Sequence, residues 1–222
     1  MTDEPDPHPD QPAHYPRLPT DTDNGLLLMI SGPSGVGKTT ITRGVERSIA
    51  DSVFSVSCTT RAKTDADVEA VDYHFLSNDE FQKLIDKDAF LEWADVFGKK
   101  YGTRKKWVDE QLSRGRLVIL EIDVEGAKQV KAKVPDAFGL FILPPSEDEL
   151  LRRLKSRKRE SDELIAKRFA EAKREIAEAK ACNAYDKFLV NENLEEAIEE
   201  AIMIVKAARL AHAMHSDPNR TQ

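Results

Sequence analysis

The 222-residue sequence lacks long hydrophobic runs, is poor in cysteine and has no excess of positive charge. No apolar run approaches the ~20 residues of a membrane-spanning helix. The early run Leu26–Ile30 is too short for the core of a signal peptide. Cys58 and Cys182, the two cysteines, form neither a disulfide framework nor a metal-ligand pair. The net charge of −7 argues against general binding of nucleic acid or anionic membranes. We therefore expect a cytoplasmic protein with no nucleic-acid and no membrane partner.

The first 24 residues differ in composition from the rest of the chain. They carry six prolines and six acids against a single arginine. Such a segment buries too little apolar surface to offset the entropy lost on ordering, so residues 1–24 are predicted to be a disordered tail. The composition of the remaining chain is that of a globular protein with one sizeable core.

From Gly25 onward, short apolar runs alternate with helical stretches. The predicted strands are Leu26–Ile30, Leu117–Asp123, Phe138–Leu143 and Lys187–Val190. Helices are predicted at Thr39–Ala50, Asp79–Asp86 and Glu125–Lys133, and apolar residues at spacings of three and four mark two more, over 164–179 and 194–205. Strands separated by helices predict an α/β fold with a parallel sheet and helices on both faces. Shorter mixed runs over 51–107 predict a small lobe inserted between the first helix and the second main strand.

The segment from Gly32 to Thr39 matches the phosphate-binding pattern G-x-x-x-x-G-K-[ST] at every required position. It follows an apolar strand and precedes a helix, which is the context that this motif requires. Glycines let the backbone approach phosphate oxygens closely, and successive N–H groups at a helix N-terminus point at the anion. Lys38 supplies a charge between the β- and γ-phosphates, and the Thr39 hydroxyl is a ligand for Mg²⁺. The motif predicts a nucleoside triphosphate and leaves the phosphoryl acceptor open.

Two other segments suit the same chemistry. The strand 117–123 ends in Glu121 and Asp123, whose carboxylates would face the phosphate loop and hold Mg²⁺ through water or accept from a substrate. Residues 152–159 carry six cations in eight positions, and Arg153 and Arg157 share one helical face. Together with Arg168, beyond a predicted break at Arg159–Ser161, they would form a lid whose guanidiniums stabilise a phosphoryl-transfer transition state.

With these features in place, the chain resembles the guanylate kinase family over roughly residues 25–207. The resemblance rests on the motifs SGPSGVGKTT, SVSCTTR, DYHFLS, FLEWADVFGKKYGT, LEIDVEGAKQV and FILPPS and on Asn191 in FLVNEN. It implies a P-loop NTPase fold with an inserted, small mixed α/β GMP-binding lobe and a helical lid. It also implies transfer of a phosphoryl group from ATP to GMP with Mg²⁺ as cofactor. The oligomeric state stays open.

The resemblance also assigns boundaries and site residues by position. The implied core comprises residues 25–56, 104–146 and 169–207, with the GMP-binding lobe at 57–103, the lid at 147–168 and a flexible tail at 208–222. The implied ATP-binding residues are Gly32, Pro33, Ser34, Gly35, Val36, Gly37, Lys38, Thr39, Thr40 and Asn191. The implied GMP-binding residues are Ser57, Arg61, Tyr73, Glu92, Tyr101, Thr103 and Asp123. The implied catalytic residues are Lys38, Arg153, Arg157 and Arg168, with Thr39 as the metal ligand and Glu121 acting partly through water.

Within that assignment, Glu92 has the clearest chemical logic. A carboxylate accepts hydrogen bonds from N1–H and the 2-amino group of guanine, whereas adenine lacks this pair of donors. A buried carboxylate that faces adenine would stay unpaired, which separates the two substrates by orders of magnitude.

The sequence departs from the family pattern at two positions. Thr64 stands where the family usually has a second arginine for the GMP phosphate, and the ammonium of Lys63 does not reproduce a planar bidentate fork. Lys158 stands where the family often has glycine after the lid arginine, which would stiffen the lid hinge.

Two alternatives are a related phosphotransferase with another phosphorylated acceptor, such as a ribosyl bisphosphate, and a non-catalytic guanylate-kinase-like interaction module. Glu92, Ser57 and Thr103 argue against the first, which Thr64 nevertheless leaves open. The intact Lys38-Thr39 pair and the lid arginines argue against the second.

Overall fold

The chain folds into alternating strands and helices, which a computed structural model describes for residues 22, 24–96, 98–156 and 161–216. The strands are β1 Leu26–Ser31, β2 Ser52–Phe54, β3 Cys58–Thr59, β4 His74–Phe75, β5 Phe90–Val96, β6 Lys99–Arg104, β7 Leu117–Glu121, β8 Phe138–Leu143 and β9 Lys187–Val190. The helices are α1 Lys38–Ser48, α2 Asn78–Asp86, α3 Lys105–Ser113, α4 Val124–Lys133, α5 Glu147–Ser156, α6 Asp162–Ala181 and α7 Leu194–Ser216.

A parallel sheet with the strand order β2-β7-β1-β8-β9 forms the core. Its central strand β1 alternates between two apolar clusters, because successive side chains of a strand point to opposite faces. Leu28 and Ile30 pack with α1 and α7 on one face, whereas Leu27 and Met29 pack with α3 and α4 on the other. The predicted α/β fold with helices on both faces of a parallel sheet is confirmed.

A second sheet, with the order β4-β3-β6-β5, forms the inserted lobe. Its apolar centre is small and contains Cys58, Phe81 and Phe90, with the two aromatic rings stacked at 4.5 Å between centroids. Helix α2 covers this centre and begins at a capping box, in which Ser77 and Glu80 satisfy each other's backbone N–H groups. All of these strands lie within 57–103 except for the last residue of β6.

The segment 147–168, which is predicted to be a lid, contains the helix α5 and the beginning of α6. Leu150 and Leu154 of α5 pack against Ile165 and Ala172 of α6. Helix α6 begins at Asp162, where the Ser161 hydroxyl accepts from the Leu164 N–H. The cap marks the C-terminal side of the predicted break at Arg159–Ser161. Residues 157–160 lie outside the described part of the chain. No described helix is both long and apolar enough to cross a membrane.

Three elements were missed or misplaced by the predictions. The three residues of β2 join the main sheet beside β7; the mixed runs of 51–107 favour the lobe for them, whereas the boundaries implied by the resemblance put them in the core. Helix α3 was not predicted. Its buried residues are Val108 and Gln111, of which only the first is apolar, so the helix shows no apolar periodicity. The second main strand ends at Glu121 instead of Asp123, since Asp123 caps α4 by accepting from the Gly126 N–H at 2.7 Å.

The last helix corrects the predicted flexible tail at 208–222. Helix α7 continues to Ser216, and Ala208 packs against the main apolar cluster. The Arg209 guanidinium donates to both carboxylate oxygens of Asp51 and, at 2.8 Å, to the Gly115 carbonyl. These contacts hold the helix past residue 207. Residues 217–222 and, apart from Thr22 and Asn24, the predicted tail at 1–24 lie outside the described residues.

Replacing Arg209 with methionine tests this anchor. Hydrogen bonds that involve charged groups contribute about 1.5–3 kcal/mol each, so Arg209→Met should lower the free energy of unfolding at pH 7 by about 2 kcal/mol. Arg209 lowers the pKa of Asp51, so this contribution is present above the unfolded pKa of about 4 and is lost as the pH falls through the folded pKa. Urea denaturation at pH 7 and at progressively lower pH measures both effects.

The control is Arg152→Met, which removes an exposed pair within α5 and should change the free energy of unfolding by under about 1 kcal/mol. Equal effects of the two variants at pH 7 would contradict an anchoring role for Arg209.

Candidate active site

The phosphate loop connects β1 to α1 and takes the conformation that its glycines permit. Gly35 and Gly37 have φ angles of 86° and 96°, a region that residues with a Cβ rarely adopt. The Lys38 ammonium lies inside the loop, where it donates to the Gly32 carbonyl and, at 3.2 Å, to the Pro33 carbonyl. The N-cap residue of α1 is Gly37, which has no side chain to cap the helix, so the N–H groups of the first turn can face an anion.

Two oxygen ligands meet beside this loop. The Thr39 hydroxyl donates to the Glu121 carboxylate, with 2.8 Å between Oγ1 and Oε1. Hydroxyl and carboxylate oxygens are the hard ligands that Mg²⁺ prefers, and it commonly binds through one or two of them plus substrate phosphates. The donor pair therefore fits Mg²⁺ together with a bound triphosphate. The described residues contain no group of three or more acidic, histidine or cysteine side chains with the arrangement of a metal site.

Asn191 lies behind the phosphate loop. The residue is only 3% exposed, and its side-chain amide donates to the Val36 carbonyl at 2.7 Å. Its backbone carbonyl accepts from Arg153 of the lid at 3.0 Å. Its Oδ1 atom is buried without a hydrogen-bond donor among the described residues. Asn191 thus links the phosphate loop, the end of β9 and the lid.

A cleft of about 490 Å³ lies between the phosphate loop, the lobe and α6. It brings together ten of the sequence-predicted site residues: Gly32, Ser34, Lys38, Ser57, Tyr73, Glu92, Tyr101, Glu121, Asp123 and Arg168. The other described ones lie outside its lining: Pro33, Gly35, Val36, Gly37, Thr39, Thr40, Arg61, Thr103, Arg153 and Asn191. Arg157, like Lys158, falls outside the described residues.

Glu92 is the most buried acid of the cleft, with 4% of its surface exposed. Thr103, opposite Glu92 on the neighbouring strand β6, donates its hydroxyl to Oε1 at 2.6 Å. Burial raises the pKa of Glu92 to about 7, whereas the Thr103 hydrogen bond acts in the opposite direction. Burial also raises the pKa of Asp123, the cap of α4. The cleft therefore contains a desolvated carboxylate that favours a partner with N–H donors.

The region predicted to hold the acceptor's phosphate contains Arg61, Tyr73 and Tyr101. The two phenol rings pack edge-on at 5.7 Å, and the Arg61 guanidinium lies 5.1 Å above the Tyr73 ring. Arg61 donates to both carboxylate oxygens of Asp67, at 2.8 and 3.0 Å. Thr64 donates its N–H and its hydroxyl to the same carboxylate, each at 2.7 Å. These bonds hold the pKa of Asp67 far below its ordinary value, and Arg61 has an acidic partner in this structure.

The lid arginines differ in their surroundings. Arg168 lines the cleft, whereas Arg153 donates to Glu149 at 2.6 Å and to the Asn191 carbonyl. Helix α6 also contributes Glu171, Ala172 and Glu175 to the cleft, which were not predicted. They lie three, four and seven residues after Arg168 and therefore share its helix face, so this spacing could have predicted them. Burial raises the pKa of Glu175 to about 7, and the nearby Lys38 acts against that shift.

The fold and the cleft define the class of protein. A triphosphate-binding loop at the carboxyl end of a parallel sheet shares one cleft with an inserted polar lobe and an arginine-bearing helix. This is the arrangement of a P-loop nucleoside monophosphate kinase, an enzyme that places two nucleotides head to head.

Comparison with known proteins identifies the family. The guanylate kinase family profile matches residues 24–208. A guanylate kinase of Anaeromyxobacter dehalogenans is 45% identical over 93% of this chain and 88% of its own length. One of Carboxydothermus hydrogenoformans is 44% identical over 84% of this chain and 90% of its own. The crystal structure of guanylate kinase from Anaplasma phagocytophilum superposes with a TM-score of 0.67 at 31% identity, covering 84% of this chain and 87% of the other. The chain belongs to the guanylate kinase family.

The burial of Glu92 makes a prediction about stability. The folded state holds the Glu92 proton more tightly than the unfolded chain, so this group lowers stability as the pH rises from about 4.5 to about 7. Glu92→Gln removes that effect and should raise the free energy of unfolding at pH 8, relative to the unmodified protein, by up to about 3 kcal/mol. At pH 4.5 the two proteins should differ little.

Urea denaturation at both pH values measures the difference, with the exposed Glu199→Gln as the control. The free energies of unfolding of Glu92→Gln and the unmodified protein should diverge as the pH rises. If their difference stays constant, the folded state does not desolvate the carboxylate.

Proposed function

We propose that this protein transfers the γ-phosphoryl group of ATP to GMP, giving ADP and GDP. The observation that carries the proposal is the buried Glu92 carboxylate, which lines the same cleft as the phosphate loop. A guanine base supplies the two neighbouring N–H donors that such a carboxylate lacks. The three implied segments, which are the core, the GMP-binding lobe and the lid, then surround the two substrates.

Guanine recognition uses Glu92 together with hydroxyl groups. The carboxylate accepts from N1–H and the 2-amino group, while Thr103 keeps it oriented from behind. Ser57 lines the cleft and contacts the base, and Asp123 lies toward the base and sugar. Adenine, which offers an acceptor at N1, would leave the carboxylate desolvated and unpaired, so AMP is rejected.

The ATP side is formed by the phosphate loop. Lys38 binds the β- and γ-phosphates after it exchanges its loop carbonyl partners for phosphate oxygens, and Thr40 lies in the first turn of α1 behind it. Thr39 would hold Mg²⁺, with Glu121 acting partly through water, and the ion would supply neutralisation of charge on the phosphates. Asn191, which the resemblance places near the adenine end of ATP, supports the phosphate loop from behind through the Val36 carbonyl.

Phosphoryl transfer then needs position and charge and no covalent intermediate. A GMP phosphate oxygen is already nucleophilic, so no general base is assigned, and it attacks the γ-phosphorus in line with the leaving ADP. Arg168, Arg153 and Arg157 stabilise the developing charge when the lid closes. Closure excludes water and thereby limits hydrolysis of ATP.

The free thiols of Cys58 and Cys182 support a reducing cytoplasmic setting.

A coupled assay of ADP release with GMP, AMP, CMP and UMP tests the function. GMP should give a kcat/KM on the order of 10³-fold or more above that of the other three nucleotides. Lys38→Ala should lower kcat by at least about 100-fold while the urea midpoint stays close to that of the unmodified protein. The exposed Lys180→Ala is the control. Equal saturation by GMP and AMP would overturn the role of Glu92.

Thr64 makes a separate prediction about the GMP phosphate. Its hydroxyl and its N–H both hold Asp67, and a side-chain substitution keeps the N–H contact. Thr64→Arg adds a second guanidinium for bidentate contact with the phosphate, so it should lower the KM for GMP about 5- to 10-fold and leave the KM for ATP unchanged.

Ala66→Arg adds the same charge to the same exposed loop and controls for long-range attraction. An unchanged KM for GMP in Thr64→Arg would refute the assignment of this position to the phosphate site.

A further inference from the structure

The strand that carries Glu92 has an irregular register and an unpaired edge. Strand β5 is the outermost strand of the lobe sheet and pairs only with β6 there. Phe90 lies opposite Arg104 and Glu92 lies opposite Thr103, so Leu91 is an extra residue in β5. Such a bulge re-aims the neighbouring side chains. Phe90 packs in the lobe, Leu91 packs in the main core and Glu92 lines the cleft.

One face of α4 covers the unpaired edge of this strand. The Gln129 amide makes two hydrogen bonds with the backbone of Trp93: it accepts from the N–H at 3.2 Å and donates to the carbonyl at 2.8 Å. Lys133, four residues later, donates to the Phe90 carbonyl at 3.2 Å. The side chains of α4 therefore replace a neighbouring strand on both sides of Glu92 and complete the backbone pairing that an edge strand lacks.

Gly126, three residues before Gln129, belongs to the same face and lies against the carboxylate itself. A Cβ at position 126 would be 2.7 Å from Oε2 of Glu92, which is closer than side-chain contacts allow. Gly126 lies inside the helix α4 and has no positive φ angle, so its backbone conformation does not require glycine. The space that it leaves is occupied by the Glu92 carboxylate, whereas Oδ1 of Asp123, at 3.3 Å from the same Cβ position, is less crowded.

We propose that this face of α4, formed by Gly126, Gln129 and Lys133, fixes the position of Glu92 and so sets the specificity for guanine, with Gln129 as the positioning residue. The inference rests on the proposed function, because it concerns how the same site distinguishes bases. Gln129 touches neither nucleotide in this scheme. It holds the backbone one residue beyond Glu92, so that the carboxylate meets N1–H and the 2-amino group together.

The first experiment compares GMP with IMP, whose base keeps N1–H and lacks the 2-amino group. Gln129→Met preserves side-chain length and removes both hydrogen bonds to Trp93. It should raise the KM for GMP about 10-fold, lower the kcat/KM ratio of GMP over IMP at least 5-fold, and leave the KM for ATP and kcat within about twofold. Gln82→Met on the exposed face of α2 is the matched control and should leave every constant unchanged.

Gly126→Ala gives a second test with the opposite effect on stability. Alanine favours a helix over glycine by about 1 kcal/mol, so folding should be retained or improved, whereas the added methyl group displaces the carboxylate. The KM for GMP should rise about 10-fold or more and the kcat/KM ratio of GMP over IMP should fall, while the KM for ATP stays within about twofold. This variant keeps the proposal testable even when Gln129→Met folds poorly.

The outcomes separate the inference from the function on which it rests. An unmodified protein that does not prefer GMP over AMP overturns the proposed function. An unmodified protein that does prefer GMP, with an unchanged GMP-to-IMP ratio in Gln129→Met or in Gly126→Ala, overturns the role of α4. Equal losses toward GMP, IMP and ATP would also overturn it, because they indicate a general structural effect.

Discussion

The desolvation of one carboxylate is the constraint on which the site depends. Glu92 is removed from water, and it forms no ion pair with a lysine or arginine in the part of the chain that the structure describes. An arginine or lysine paired directly with it would satisfy the charge and remove the selectivity that we propose for guanine. Thr103 is the hydrogen-bond partner of the carboxylate, and the attraction of Lys133 is outweighed by desolvation, so the pKa stays raised and a ligand with N–H groups would complete the pairing. The same burial that selects the ligand therefore makes the folded protein less stable at neutral pH.

Such a group needs a rigid setting, since a mobile side chain would turn toward water. The setting comes from two parts of the chain. Strand β6 supplies the Thr103 hydroxyl from inside the lobe, whereas α4 supplies backbone contacts and a glycine from the core. The bulge at Leu91 lets β5 pack in both apolar clusters at once, so Glu92 is held at the junction of lobe and core.

Elements defined by residues close together in the sequence could be predicted, whereas elements defined by contacts between distant residues could not. The phosphate loop was predictable because its glycines, lysine and threonine are contiguous, and the buried strands β1, β7 and β8 were predictable from continuous apolar runs. Strand β2 was not, because its three residues are defined by pairing with β7. Helix α7 beyond residue 207 depends on an ion pair with Asp51, more than 150 residues away. Among site residues, the contact of Gln129 with Trp93 spans 36 residues and carries no sequence motif of its own.

The cations that we propose to bind phosphate all have acceptors within the protein. Arg61 pairs with Asp67, Arg153 pairs with Glu149 and a carbonyl, and Lys38 donates to loop carbonyls. Each cation thus keeps a partner, so anion binding is an exchange of partners and not the capture of a free charge. The net gain per contact is then small, and several contacts must form together before a phosphate is held. Arg61 comes from the lobe, Arg153 from the predicted lid and Lys38 from the core. Replacing all three protein acceptors at once requires ligands that together reach all three segments. Two nucleotides bound head to head satisfy that condition, whereas an isolated phosphate does not.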